Sequence, residues 1–147
     1  MREELDKELC EKYPEIFRDR HAPVTQTPMG FGFECGDGWF DLIDALCKRI
    51  QNYIDWERKY PPPHDEKIEQ VVASQVKEKF GGLRFYFDGG NDVIRGMVMM
   101  AEEMSYNICE ECGNKGRLRI NGWVTTRCDE HVTRDAISYE EQLSFCF

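Results

Sequence analysis

The pattern of this 147-residue chain predicts an α+β fold: small antiparallel hairpins packed on helices, with a C-terminal unit built on two paired-ligand turns. Three observations carry that expectation. Cys109-Glu-Glu-Cys112 and Cys128-Asp-Glu-His131, fifteen residues apart, have the spacing of a four-ligand zinc site. Two stretches read as strand, tight glycine turn, strand. Helices and hairpins follow one another in blocks, without the strand–helix alternation of a wound parallel sheet.

At this length the chain reads as one compact body that buries roughly 70% of its unfolded surface, enough for a core without disulfides. No run of apolar residues is long enough to span a membrane. The start, Met-Arg-Glu-Glu-Leu-Asp-Lys-Glu, lacks the apolar stretch of a signal peptide, which predicts a cytoplasmic protein. Of seven cysteines three are assigned to the metal, leaving Cys10, Cys35, Cys47 and Cys146 as reduced thiols, with Cys47 in a core stripe. The net charge of −9 disfavours generic binding to a DNA backbone, which needs clustered cations.

Residues 1–20 predict an amphipathic helix through Leu5 and Leu9 that breaks at Tyr13-Pro14, with Ile16 and Phe17 packing inward. Residues 21–38 read as irregular chain leading to a short strand around Phe31–Cys35. The Gly36-Asp37-Gly38 turn follows, with Asp37 as cap of the next helix. That turn is either simple turn geometry or a rim whose backbone N–H groups meet an anion. From Trp39 to Tyr60 runs the longest helix, roughly 33 Å, with Trp39, Ile43, Leu46, Ile50 and Tyr53 on one stripe; Pro61-Pro62-Pro63 stops it.

His64 to Val72 is polar with a modest helical pattern. Then Gln75–Phe80 and Leu83–Phe87 flank Gly81-Gly82 as a hairpin, pairing Phe80 with Leu83 and Glu78 with Phe85. One face carries Val76, Phe80, Leu83, Phe85 and Phe87, expected buried. The other carries Lys77, Lys79, Arg84 and Tyr86. Glu78 falls on the apolar side, so it finds a partner, takes up a proton, or marks a bulge in the register. The next helix is capped by Asn91 or Asp92. Val93, Met97, Met100 or Ala101, and Met104 are read as its inner side, with the methionines filling core gaps.

In the C-terminal unit, Asn121-Gly122 between two strand-like runs predicts a two-residue type I′ turn. Val132, Ala136, Tyr139 and Leu143 step at helical spacing. Knuckle, hairpin, ligand-bearing helix is the order of a treble clef. The division expected is residues 1–106 as the main body and 107–147 as a finger packed on it.

Three blocks also resemble a family of small, uncharacterised proteins encoded by tailed phages and prophages: residues 32–47 (Gly-Phe-Glu-Cys-Gly-Asp-Gly-Trp through Cys47), residues 75–86, and the Cys109–His131 finger with Gly122-Trp123. The resemblance covers about Tyr13 to Val132. It implies a phage accessory protein acting in the bacterial cytoplasm. Proteins of that class are often counter-defence factors that mask a host protein or sequester a nucleotide signal.

The residues themselves predict one structural Zn2+ held by Cys109, Cys112, Cys128 and His131, since four protein ligands close the shell that a catalytic site leaves open. No nucleophile or deaminase motif surrounds His21 or His64, so no catalytic residue is assigned and a non-enzymatic protein is expected. The candidate ligand site combines Lys77, Lys79, Arg84 and Tyr86 with Asp37 and Trp39 of the glycine turn. It suits a small anionic, nucleotide-like ligand, and a solvated edge face is the competing reading. The alternative function is nucleic-acid binding by the finger, where Arg117 and Arg119 share a hairpin face. The oligomeric state is not legible.

Overall fold

A computed structural model describes residues 1–64, 67–132 and 137–138. Among these residues the fold is mixed α+β with three helices and two small sheets. Helix α1 is Glu3–Lys12, with acidic residues in its first turn and Tyr13 ending it, as the Tyr-Pro step dictates. A 3₁₀ turn at Pro28–Phe31 precedes strand β1, Phe33–Glu34. A second 3₁₀ turn, Asp37–Trp39, leads into α2, Phe40–Lys59. Strands β2 (Val72–Lys79) and β3 (Gly82–Asp88) form a hairpin, followed by α3, Asp92–Ser105. The C-terminal unit contributes β4 (Arg117–Asn121), β5 (Trp123–Arg127) and β6 (Ile137–Ser138). No helix among the described residues is long and apolar enough to cross a membrane.

The first sheet has the order β1-β2-β3. Strand β1 pairs with β2 in parallel, Phe33 opposite Val76 and Glu34 opposite Lys77, because α2 carries the chain across between them. The core lies between this sheet and the helices: Leu9, Ile16, Trp39, Ile43, Ile50, Ile54, Val76, Leu83 and Ile94 have no exposed surface. Each such aliphatic side chain contributes about 1.5–3 kcal/mol by leaving water. Phe17 stands edge-on to Phe33 and Phe85, tying the chain after α1 to the sheet.

Four expectations are corrected. The hairpin register places Lys79 opposite Gly82, Glu78 opposite Leu83 and Val76 opposite Phe85, one step from the pairing predicted on each strand. The turn is Phe80-Gly81, whose φ values of 52 and 84 are both left-handed, as a type I′ turn requires. Phe80 is therefore 68% exposed at the tip instead of buried. The Glu78 problem resolves with it, since its carboxylate accepts the Gly81 N–H at 2.9 Å across the turn. Second, α3 buries Ile94, Val98, Ala101 and Ser105; of the residues read as its inner side Ala101 is buried and Met97 packs partly buried against the core, but Val93, Met100 and Met104 are exposed. Asn91 is its cap, accepting the Ile94 N–H. Third, residues 67–71 are not helical; β2 begins at Val72 and bulges between Ala73 and Gln75. Fourth, Ile120 pairs with Val124, so Asn121, Gly122 and Trp123 all sit at the β4–β5 tip, and a two-residue turn does not fit this register. The helix expected after His131 falls on residues 133–136 and 139–147, outside those described. Ile137–Ser138 within it are extended and pair with β4.

Candidate functional site

The two ligand turns converge. The donor atoms of Cys109, Cys112, Cys128 and His131 all lie within 4.8 Å of one another. Cys112 Sγ is 3.7 Å from Cys128 Sγ, and His131 Nδ1 is 3.2 Å from Cys128 Sγ and 3.7 Å from Cys109 Sγ. Donors at tetrahedral zinc distances stand about 3.5–3.8 Å apart, so this group can hold a metal ion and its chemistry is consistent with zinc. Burial alone would raise the Cys109 thiol, but the backbone N–H groups of Cys128, Cys112 and Glu111 outweigh it and hold Cys109 down to about 6. A thiolate is the form a metal needs.

The turns are shaped by their neighbours. Arg119, only 6% exposed, donates from Nε to the Arg127 carbonyl (3.2 Å) and from Nη2 to Asp129 (2.8 Å), bracing the Cys128 turn. Arg127 reaches back to the first knuckle, pairing with Glu110 at 3.1 Å and Glu111 at 3.3 Å. Both arginines are thus committed within the finger, and Arg119 is not a free phosphate contact.

Asp37 and Trp39 belong to this same junction and not to the basic sheet face. The Gly36–Trp39 turn lies against the knuckle: Gly38 N–H donates to the Glu110 carbonyl (2.7 Å), and Gly36 N–H to the Glu110 carboxylate (3.1 Å). Trp39 has no exposed surface, and its indole N–H donates to the Ile108 carbonyl at 2.8 Å, so it cannot stack on a ligand. Asp37 accepts the Arg2 backbone N–H at 2.8 Å. It borders a cleft of about 510 Å³ whose charged lining is Asp37, Asp41 and Glu111 against Arg2 alone, a net negative balance that disfavours phosphate. Sequence reasoning missed Glu110, the hub of the junction; the Gly-x-Gly pair at 36–38 was the signal, because an added Cβ at Gly38 would lie 2.0 Å from the Cys109 carbonyl oxygen.

The sheet face is assembled as its alternation demands. Lys77 stands opposite Arg84, and Tyr86 opposite Gln75, with Lys79 two residues along β2 from Lys77. The reverse side of these strands carries buried Val76, Leu83 and Phe85. Arg84 is half-buried and donates to the hydroxyl of Tyr106 (3.1 Å) and to the Leu83 carbonyl (2.9 Å). Lys79 is exposed and Tyr86 is 43% exposed. Glu34 pairs in register with Lys77, tempering the positive charge.

The outer edge of β3 is closed by α3. Ser105 Oγ accepts the Leu83 N–H (2.9 Å) and Glu102 accepts the Phe85 N–H (3.1 Å). Burial raises the Glu102 carboxyl above its usual range, against that N–H bond and the charge of Arg84. Burial likewise pushes Cys35 up to about 12 and Cys10 up to about 11, with Asp6 also raising Cys10. Neither is a thiolate near neutral pH. No family model, no curated protein and no solved structure matches the chain.

Proposed function

We propose that this protein is a small non-enzymatic binding module whose open sheet face takes a phosphorylated, ring-bearing ligand, while one structural zinc ion staples the C-terminal unit in place. The observation that supports it is the projection of Lys77, Lys79, Arg84 and Tyr86 from one side of β2 and β3, the other side being core. Ammonium and guanidinium groups pair with phosphate, and a phenol ring stacks on a base. In biological terms this is sequestration of a nucleotide signal by a phage-type counter-defence protein in the bacterial cytoplasm. Three thiolates and an imidazole would fill a tetrahedral shell, so zinc here would contribute folding free energy and leave no open position for water.

Nucleic-acid binding by the finger has less support, because of the two arginines expected on the hairpin face Arg117 is exposed but Arg119 is held by Asp129, and the neighbouring Arg127 is held by Glu110 and Glu111. Masking of a host protein is a second reading. It is favoured by the exposed Val93, Met100 and Met104 of α3, a stripe of the adaptable kind used at protein interfaces. Calorimetric titration against a panel of nucleotides separates the two. One class should bind, and Lys79→Ala and Arg84→Ala should each weaken it roughly tenfold, the loss of one charged contact. No binding across the panel overturns the nucleotide reading in favour of masking, and binding that survives both substitutions moves the site elsewhere. Elemental analysis should find about one zinc per chain.

A further inference from the structure

We propose that the sheet face binds a short segment of single-stranded nucleic acid, with Phe80, Tyr106 and Tyr86 as three stacking platforms among the cations Lys77, Lys79 and Arg84. This rests on the preceding reading of the face as a site for phosphate and a ring, and it names the ligand class. The first observation is Phe80. It holds φ 52 in a turn position that favours asparagine or glycine, where a bulky side chain is strained. It is also 68% exposed, so burial does not account for an aromatic there. The turn backbone is held by the Glu78 and Thr126 bonds to Gly81, but the Phe80 ring gains no burial from it, which points to a contact made by the ring with something else. The ammonium of Lys79 lies 5.6 Å from its ring centre, joining phosphate and base chemistry at the tip.

The second observation is Tyr106. A Cβ added at Gly82 would lie 2.4 Å from its ring, and Gly82 shares a side of β3 with Arg84, so the half-buried ring of Tyr106 packs over Gly82 on the side that carries Arg84. Glycine at 82 makes room for it, and the hydroxyl accepts from Arg84 at 3.1 Å. From Gly82 to Tyr86 is about 13 Å along the strand at about 3.3 Å per residue, too far for one nucleotide to touch both rings. Successive unpaired bases of a strand bridge it. Opposing the cations are Glu34 beside Lys77 and Glu102 at the β3 edge. With a chain charge of −9, that balance is too weak for a duplex, whose affinity is chiefly phosphate contact; stacking on aromatic faces tolerates it and requires bases that are not paired.

The test is fluorescence anisotropy of the intact, metal-loaded protein with labelled hexathymidylate and hexauridylate, competed by the mononucleotides and by a six-base-pair duplex. A hexamer should bind at least tenfold tighter than mononucleotide or duplex. Log affinity should fall against log salt with a slope of about −2, for three phosphates on a single strand. Phe80→Asn should weaken the hexamer roughly 5- to 150-fold, the range of one lost stack, yet raise the melting temperature because asparagine accepts the left-handed backbone. Tyr106→Ala should weaken binding comparably. Hexamer affinity equal to that of mononucleotide, with mononucleotide binding still dependent on Lys79, overturns this proposal and leaves the small-ligand reading standing. Equal affinity for duplex, or binding unchanged by Phe80→Asn, also overturns it. No binding of any of these overturns this proposal, and the nucleotide panel then decides the small-ligand reading.

Discussion

Glu110 sits between Cys109 and Cys112 of the cluster that can hold a metal, but its own side chain holds the C-terminal unit to the rest of the protein. It is 8% exposed. One carboxylate oxygen accepts the Gly36 N–H and the other pairs with Arg127, each at 3.1 Å. Replacing Glu110 with alanine leaves the Gly36 N–H without its acceptor and removes the nearer of Arg127's two carboxylates. Hydrogen bonds to a charged group contribute about 1.5–3 kcal/mol each, and stripping a partner from a fully buried pair costs about 3–5 kcal/mol. Arg127 is partly solvated and retains Glu111 at 3.3 Å, so the second figure is discounted. The expected loss is about 2–4 kcal/mol, or roughly 4–16 °C in melting temperature for a chain of this size. Urea unfolding of the metal-saturated protein measures it. Glu111→Ala is the control, removing a carboxylate that is 53% exposed, and should cost under about 1 kcal/mol. Glu110→Gln should lie between them because it keeps an acceptor for Gly36. If Glu110→Ala stays within about 0.5 kcal/mol of wild type, or Glu111→Ala matches it, the junction is not held as described.

Gly38→Ala should be more damaging, since the new methyl would lie 2.0 Å from the Cys109 carbonyl and 2.6 Å from the Gly113 nitrogen, both backbone atoms that cannot swing aside. A loss of about 3 kcal/mol or aggregation is expected by urea unfolding and light scattering, and wild-type stability would refute the contact. Glu102 gives a pH signature. Its carboxyl is raised from the ordinary 4.5, so the folded state binds more protons than the unfolded one just above that pH, and stability declines as Glu102 ionises. Glu102→Gln, which still accepts the Phe85 N–H, should abolish that decline and leave the protein as stable or more so at pH 7, read from melting curves across pH 4–8. A steeper decline in the variant would contradict the assignment.

What the sequence made legible follows from the range of the interactions involved. Cys109, Cys112, Cys128 and His131 could be paired from spacing alone because each pair is local. The long α2 stripe was readable because its period is carried by many residues. Lys77, Lys79, Arg84 and Tyr86 were placed on one face correctly although the hairpin slipped, since moving both strands by one step preserves the alternation. The slip arose because glycine was expected at both turn positions, and Phe80 occupies one of them. On α3, two stripes both have helical spacing: Val93, Met97, Met100, Met104 and Ile94, Val98, Ala101, Ser105. Composition does not separate them, and the close approach of β3 and the Ser105 bond to Leu83 select the second. Asp37, Trp39 and Glu110 were misread or missed for one reason. Their contacts are remote in sequence, 74 positions for Gly36–Glu110, 69 for Trp39–Ile108 and 35 for Asp37–Arg2, and no local pattern encodes them.

In the proposed function the Cys109–His131 cluster is a folding element and not a working site. Melting the protein by circular dichroism before and after equilibration with a strong zinc chelator tests this most directly, because ligand binding to the folded state alone raises its apparent stability. Chelation should lower the midpoint by more than about 10 °C or abolish the cooperative transition, and added zinc should restore it. A chelated protein that melts at the same temperature with the same cooperativity would contradict that role.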